Sequence, residues 1–272
     1  MMRKPFSEDQ AHGMLVGLAV GEGIAARASG RSGPPDGTMP LAPAPWASVT
    51  SQTFCIAQML RSANGWDAED AMKRLINWRD FGYLAGAAGR ATPDSETGAA
   101  LAAFEATGNP YGAGDSAGRH AALAVARVAP VVLAYGAMRE SAMAVAQLQA
   151  RLTHPDRPSQ AAAANLAEVL ASGDRGLMPR PDAPSEPVSE ELRSTLHAAF
   201  WALAQADTFP DAMEAIARLD GETRAAGAIV GQVAGRLWGY AGIPESWREA
   251  LHDHDKILVT ADDLHAMRPI DV

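Results

Sequence analysis

Gly13, Gly17 and Gly21 stand at every fourth position of a segment, from about Ser7 to Ala28, whose apolar residues recur with helical spacing. Residues four apart share one helix face, and glycine inside a helix costs about 1 kcal/mol against alanine. A row of them predicts that this face meets a backbone, of a neighbouring helix or else of a ligand, at a range no side chain permits; helix packing is the plainer of the two. The same spacing occurs in membrane helix pairs, but Glu22 and the polar flanks argue against a membrane setting.

The rest of the chain also reads as helical. Alanine, the strongest helix former, is abundant, and runs of alternating β-branched residues are almost absent. Further helices are predicted at about 53–63, 67–78, 96–106, 117–137, 139–151, 157–172, 189–205, 209–217, 223–240, 244–250 and 260–266. Residues 29–47, rich in Gly and Pro, form a long loop that would be a lid or an excursion. Residues 173–188 form a second Pro-rich connection, read as a loop between helices and not as a domain boundary. The expected architecture is all-α, one compact multi-helix domain over residues 1–272.

A net charge of -9 with no block of Lys or Arg argues against nucleic acid or an anionic membrane as partner. The N-terminal "MMRKPFSEDQ" lacks an apolar stretch behind its basic residues, so it is not a signal peptide. The most apolar tract, 121–136, is broken by Arg127 and Pro130 and is too short to span a bilayer. A cytoplasmic protein is expected. The one cysteine, Cys55, falls in a helical apolar run and reads as a small buried hydrophobe.

Within "SVTSQTFCIAQML", residues 48–60, four small polar residues precede the apolar run. Ser48 or Thr50 is a candidate N-cap, which leaves the others to be explained by a site at the helix entrance. Arg127 in an apolar helix needs a partner, either a buried acid such as Glu22 or a ligand. "YGAGDSAGRH", 111–120, could cradle a phosphate but reads better as a turn. "HDHD", 252–255, is a solvated turn, because adjacent residues seldom converge on one ion. Trp46 is a packed anchor before it is a stacking partner for an adenine.

Four stretches in order resemble the ADP-ribosylglycohydrolase family, all-helical hydrolases related to dinitrogenase reductase activating glycohydrolase. "GLAVGEGIA", 17–25, is similar to the family's opening Gly-x-x-x-Gly-Asp helix, with Glu22 in place of Asp. "VTSQTF", 49–54, stands where the family has Thr-Asp-Asp-Thr. "RVAPVVLAYG", 127–136, and "THPD", 153–156, resemble its Met-Arg-x-x-Pro segment and later Thr-His, which implies a turn role for His154. "LDGETRAAGAIVGQVAGRLWGYAGIPESW", 219–247, resembles the segment that begins Gly-Gly-Asp-x-Asp-Thr and ends Ile-Pro-x-x-Trp.

The resemblance implies a pair of magnesium ions that orient the ribose of ADP-ribose for hydrolysis of its link to a protein side chain. Carried over by position, Thr50 and Thr53 are retained, Ser51 and Gln52 replace two aspartates, and Glu222, Arg224 and Ala225 stand where Asp, Asp and Thr stand in the late motif. The magnesium ligands are therefore mostly replaced, and no metal site is expected. Thr50, Ser51, Gln52, Arg127 and Arg224 are expected to line a ligand pocket, with Arg224 reaching Gln52, Ser51 or Glu22 in the volume of a lost metal. Three functions follow as expectations. The chain is a binding protein without the two-magnesium chemistry, for an ADP-ribose-like nucleotide or an ADP-ribosylated partner; or a hydrolase using Glu22 or Glu222 as base; or a helical interaction protein with a filled pocket.

Overall fold

The structure is a computed structural model that describes residues 4–28, 45–86, 89, 92–114 and 121–269. Most of the loop expected at 29–47, and residues 115–120 of the Gly-rich stretch, lie outside the described residues. The described residues form thirteen α-helices and no β-strand. In chain order these are α1 (Glu8–Ala28), α2 (Ser48–Ala63), α3 (Ala68–Phe81), α4 (Ser95–Thr107), α5 (Ala121–Ala126), α6 (Ala129–Tyr135) and α7 (Arg139–Arg151). There follow α8 (Arg157–Ser172), α9 (Leu192–Ala204), α10 (Phe209–Ala217), α11 (Arg224–Trp238), α12 (Glu245–Glu249) and α13 (His254–Ala266). No described helix is long and apolar enough to cross a membrane.

The centre of the bundle is the antiparallel pair α1 and α11. Gly13, Gly17 and Gly21 face Gly235, Gly231 and Gly227 in turn, so each glycine lies against the backbone of its opposite number. A methyl added at Gly231 would stand 2.6 Å from the Gly17 carbonyl carbon, and one at Gly21 would stand 2.9 Å from that of Gly227. The glycine row thus answers to helix packing. At the far end of the seam, Asp9 holds the chain that leaves α11, accepting from Tyr240 N through its carbonyl at 2.9 Å and from Ala241 N through Oδ1 at 3.0 Å.

Around this pair, α13 and α6 pack on α1, α9 and α10 on α11, and α2 lies between α3, α6 and α13. Aspartates cap several helices in the ordinary way: Asp67 accepts from Asp70 N, Asp94 from Thr97 N and Asp156 from Ser159 N. The helix predicted over 117–137 is two helices, broken at Arg127–Val128. Pro130 explains the break, since it suits a first turn but in a continuous helix would press its ring on the Ala126 carbonyl. That carbonyl instead accepts from Gln232 Nε2 at 2.7 Å.

The 173–188 connection is tied back to the bundle through a parallel bridge between Val188 and Gly221. Val188 N donates to Asp220 O and Glu222 N to Val188 O, each at 2.8 Å. Gly221 has φ +96°, and a Cβ there would stand 2.7 Å from Val188 N, so only glycine fits the bridge. Cys55 is buried, and burial pushes its thiol pKa up to about 12.

Two predictions follow from this packing. Gly231→Ala should lower stability by about 1–3 kcal/mol through overpacking, whereas Gly98→Ala in α4, where the nearest foreign atom is 3.9 Å away, should raise it by about 0.4–1 kcal/mol; urea denaturation of both variants reads the opposite signs. Cys55 should not react with an aromatic disulfide reagent at neutral or mildly alkaline pH until urea unfolds the chain, with thiol release following the unfolding curve.

Candidate functional site

An open cleft of about 300 Å³ lies at the end of the glycine seam where α1 and α2 meet the start of α11. Its walls come from Glu22 of α1, Ser48 and Val49 of α2, Thr92 to Asp94 before α4, Ala122 and Leu123 of α5, Glu190 and Thr195 at α9, and Glu222, Arg224 and Ala225 at α11. No side chain among the described residues fills this volume. Four carboxylates, from Glu22, Asp94, Glu190 and Glu222, and one guanidinium, from Arg224, give it a mixed but mainly anionic lining.

Glu22 is almost wholly buried and acts as the cap of α2 from a different helix. Its Oε2 accepts from Ala47 N at 3.1 Å, Thr50 N at 3.0 Å and Thr50 Oγ1 at 2.6 Å, and its Oε1 accepts from Val49 N at 2.9 Å. A carboxylate offers about four acceptor positions, so these bonds largely occupy it. The residue at the N-cap position, Ala47, has no side-chain bond to offer, and α2 begins at Ser48, five residues before the predicted start. Neither Ser48 nor Thr50 is the cap; both lie in the first turn, whose amides a buried anion satisfies.

The remaining polar residues of α2 turn away from the cleft. Ser51 Oγ donates to Ala47 O at 2.9 Å and Thr53 Oγ1 to Val49 O at 2.7 Å, the back-bonding of hydroxyls inside a helix. Gln52 Oε1 accepts from Arg127 Nη1. Thr50, Ser51 and Gln52, expected as ligand contacts, are all 0–1 % exposed, and α2 lines the cleft through Ser48 and Val49 instead.

Arg127 is fully enclosed. Besides Gln52 it donates to Gln149 Oε1 at 2.9 Å, Gln149 O at 3.2 Å and Thr153 Oγ1 at 2.6 Å. These hydrogen-bond partners are neutral, and among the described residues neither a direct pair with Glu22 nor a place on the cleft wall is observed. Burial pulls its pKa down to about 10, with the nearby Asp94 charge acting the other way, so the guanidinium stays charged at neutral pH. Thr153 Oγ1 also stands 2.8 Å from His154 Nδ1. Burial pushes the His154 pKa down to about 4 against the upward pull of Asp94.

Arg224 opens α11, with its side chain about half exposed and Nη2 3.6 Å from Glu222 Oε2. It borders the cleft, but the expected contacts with Gln52, Ser51 or Glu22 are not observed among the described residues: Arg127 holds the first, the Ala47 carbonyl the second and the α2 entrance the third. Glu222, also half exposed, faces the same cleft. Asp94 and Glu190 were not among the residues expected here. Asp94 lies two residues before a predicted helix and caps α4; Glu190 falls in a predicted helix that begins only at Leu192. The Val188–Gly221 bridge brings Glu190 beside Glu222, and no local pattern announces it.

Trp46 is an anchor, whereas "HDHD" is a turn only at His252 and Asp253, because α13 begins at His254, six residues before the predicted start. Trp46 is buried against Phe54, with ring centroids 5.6 Å apart. In "HDHD", His254 Nε2 pairs with Tyr240 Oη at 3.0 Å, and Asp255 is fully exposed.

The chain matches the ADP-ribosylglycohydrolase family model over residues 3–188 and 173–270. It is 27 % identical over 297 residues to the ADP-ribosylarginine hydrolase Tri1 of Serratia proteamaculans (strain 568), covering 97 % of this chain and 81 % of that protein. The Tri1 ADP-ribosylarginine hydrolase of Pseudomonas putida (strain GB-1) is 26 % identical over 300 residues, covering 96 % and 79 %. A solved structure described as an ADP-ribosylglycohydrolase-related protein complex superposes with a TM-score of 0.77 at 31 % identity, covering 96 % of this chain and 98 % of that one.

The Glu22 cap carries a prediction. Glu22→Ala leaves buried amides of Val49 and Thr50 without partners, so stability should fall by about 3 kcal/mol or more, at about 1–3 kcal/mol per orphaned group; Glu22→Gln should cost less. Urea denaturation gives the size, and hydrogen exchange at residues 47–50 should accelerate before that of the rest of α2.

Proposed function

The chain belongs to the ADP-ribosylglycohydrolase family, and we propose that its cleft recognises an ADP-ribosyl group on a partner protein without the family's magnesium pair. The observation that carries this reading is how the positions matching the family's ligand motifs are used. Thr50 and Glu22 satisfy each other, Ser51 bonds a main-chain carbonyl, Gln52 receives a buried arginine, and Arg224 sets a permanent cation at the cleft. Magnesium requires an octahedral shell of hard oxygens. The residues at the motif positions do not fit a pair of such ions, because Thr50, Ser51 and Gln52 are turned inward and a guanidinium stands 3.6 Å from the Glu222 carboxylate.

Charge makes the same point. A guanidinium about 4 Å from a dication costs roughly 8 kcal/mol at an effective dielectric of about 20, before solvent screening reduces it. Arg224 suits an anion better, since its planar fork matches phosphate oxygens. The carboxylates of Asp94, Glu190 and Glu222 then suit a cationic group at the other end of the same ligand. An ADP-ribosylated arginine has this polarity, with a pyrophosphate at one end and a guanidinium at the other. The relatives' description as ADP-ribosylarginine hydrolases supports that choice of ligand.

A second reading is hydrolysis without the metal pair, favoured by the exposed Glu222 carboxylate on the cleft wall. As general base it would take a proton from water, whose oxygen attacks the ribose C1. The C1–N bond breaks with its electron pair going to the guanidine, which takes up the proton. Glu22 is poorly placed for this role, since its oxygens already hold the α2 amides.

Calorimetric titration of ADP-ribose into the full chain, with magnesium and with chelator, tests the first reading. Equal affinity in both, weakened about tenfold by Arg224→Ala through loss of one charge-assisted contact, is the expected result; affinity that requires magnesium would overturn it. Release of ADP-ribose from an ADP-ribosylarginine peptide, falling about 100-fold or more in Glu222→Gln, would establish metal-free hydrolysis, and its absence alongside binding would leave recognition alone.

A further inference from the structure

A buried polar gap lies behind the cleft wall. Asp94 caps α4 through Oδ1, which accepts from Thr97 N at 2.8 Å, while its Oδ2 is buried with no hydrogen-bond partner. His154, which follows α7, is completely enclosed, and its Nε2 also has no partner. The two side chains face one another with Nε2 and Asp94 Oδ1 3.9 Å apart. That is too long for a hydrogen bond, and two buried polar atoms left unmet are uncommon enough to need an explanation. Glu96, in the first turn of α4, completes a group whose ligand atoms all lie within 4.8 Å of one another.

We propose that Asp94, Glu96 and His154 hold one divalent transition-metal ion of the zinc or cobalt kind. This site is separate from the positions that the family motifs assign to magnesium, and it does not rest on the function proposed for the cleft. One imidazole nitrogen with two carboxylates is a mixed nitrogen and oxygen set, which suits zinc or cobalt, whereas magnesium prefers oxygen alone. Two carboxylates balance a dication. Zinc bonds to such ligands measure about 2.0–2.2 Å, so side-chain rotations that draw the three atoms together by about 1 Å suffice.

The surroundings orient the imidazole. Thr153 Oγ1, 2.8 Å from His154 Nδ1, can accept the Nδ1 proton and leave the Nε2 lone pair for the ion. Arg127 donates to the same hydroxyl at 2.6 Å and so stands one residue removed from the ion. Two openings give access. Asp94 borders the main cleft, and Glu96 with Thr153 borders a second one of about 210 Å³. The other group close enough to share an ion among the described residues, Glu8 with His12 and Asp262, lacks this gap, for His12 Nε2 already meets Asp262 Oδ1 at 2.6 Å.

The test is titration of zinc into chelator-treated full-length protein by calorimetry, with cobalt as a visible-absorption probe of the ligand set. A single equivalent should bind, and Asp94→Asn and Glu96→Gln should each weaken it at least about tenfold and abolish the cobalt band. Glu96 is partly exposed, so Glu96→Gln should melt like the parent without metal; asparagine keeps the helix cap but removes the acid near Arg127, so Asp94→Asn is read at a temperature where it is fully folded. No stoichiometric zinc binding, or binding that both substitutions leave unchanged, overturns the proposal. Loss of the bound equivalent in His12→Gln instead would place it at the surface group and overturn the proposal equally.

Discussion

The backbone contact between α1 and α11 sets the position of nearly everything else. Six glycines, three from each helix, let the two axes approach until carbonyls touch the opposite chain. The seam ends at Gly21 and Gly227, and the site begins in the adjoining turn: Glu22 follows Gly21, and Arg224 lies three residues before Gly227. Any side chain in the seam would move the two walls of the cleft apart by the width it needs. The glycines cost helix propensity on both strands of the seam, and burial of the two helices against their neighbours offsets that loss.

Glu22 converts this rigid seam into a site. Being fixed by Gly21, it presents its carboxylate at one height on α1, and α2 docks its first turn onto that carboxylate through the amides of Val49 and Thr50. A buried anion at a helix N-terminus is favourable because amide dipoles and hydrogen bonds replace the lost water. The same bonds draw the α2 entrance inward, which leaves Ser51 and Thr53 to bond their own helix and Gln52 to point into the core. The polar quartet at the entrance is therefore mainly internal structure, and the cleft takes its charge from other elements.

What was legible in the sequence and what was not separate along physical lines. The all-helical class, the close contact of the Gly13–Gly21 face and the burial of Cys55 follow from local periodicity and composition, which do not depend on distant partners. The facing row Gly227, Gly231 and Gly235 repeats the same interval in sequence, so the pairing of the two rows could have been found from spacing. Pro130 is a break signal inside the predicted 117–137 helix, hidden in periodicity by the strong apolar run around it. The structure starts α2 earlier than local pattern predicts because its cap comes from Glu22, 26 residues before Ser48 in sequence. Asp94 and Glu190 reach the cleft through tertiary contacts and the Val188–Gly221 bridge, to which no local pattern refers.

Arg127 joins the two walls of the cleft from behind. Through Gln52 it holds α2, through Gln149 it holds α7, and through Thr153 it adjoins His154 and so Asp94. A buried guanidinium met by neutral acceptors keeps a positive field in this layer, and Asp94 is the nearby acid that answers it across the cleft wall. Taking Arg127 away would leave the oxygens of Gln52, Gln149 and Thr153 short of donors in a space closed to water, a loss larger than that of any surface pair. The arginine in the family-like Arg-x-x-Pro segment thus serves the site without touching it, by fixing the walls whose side chains do.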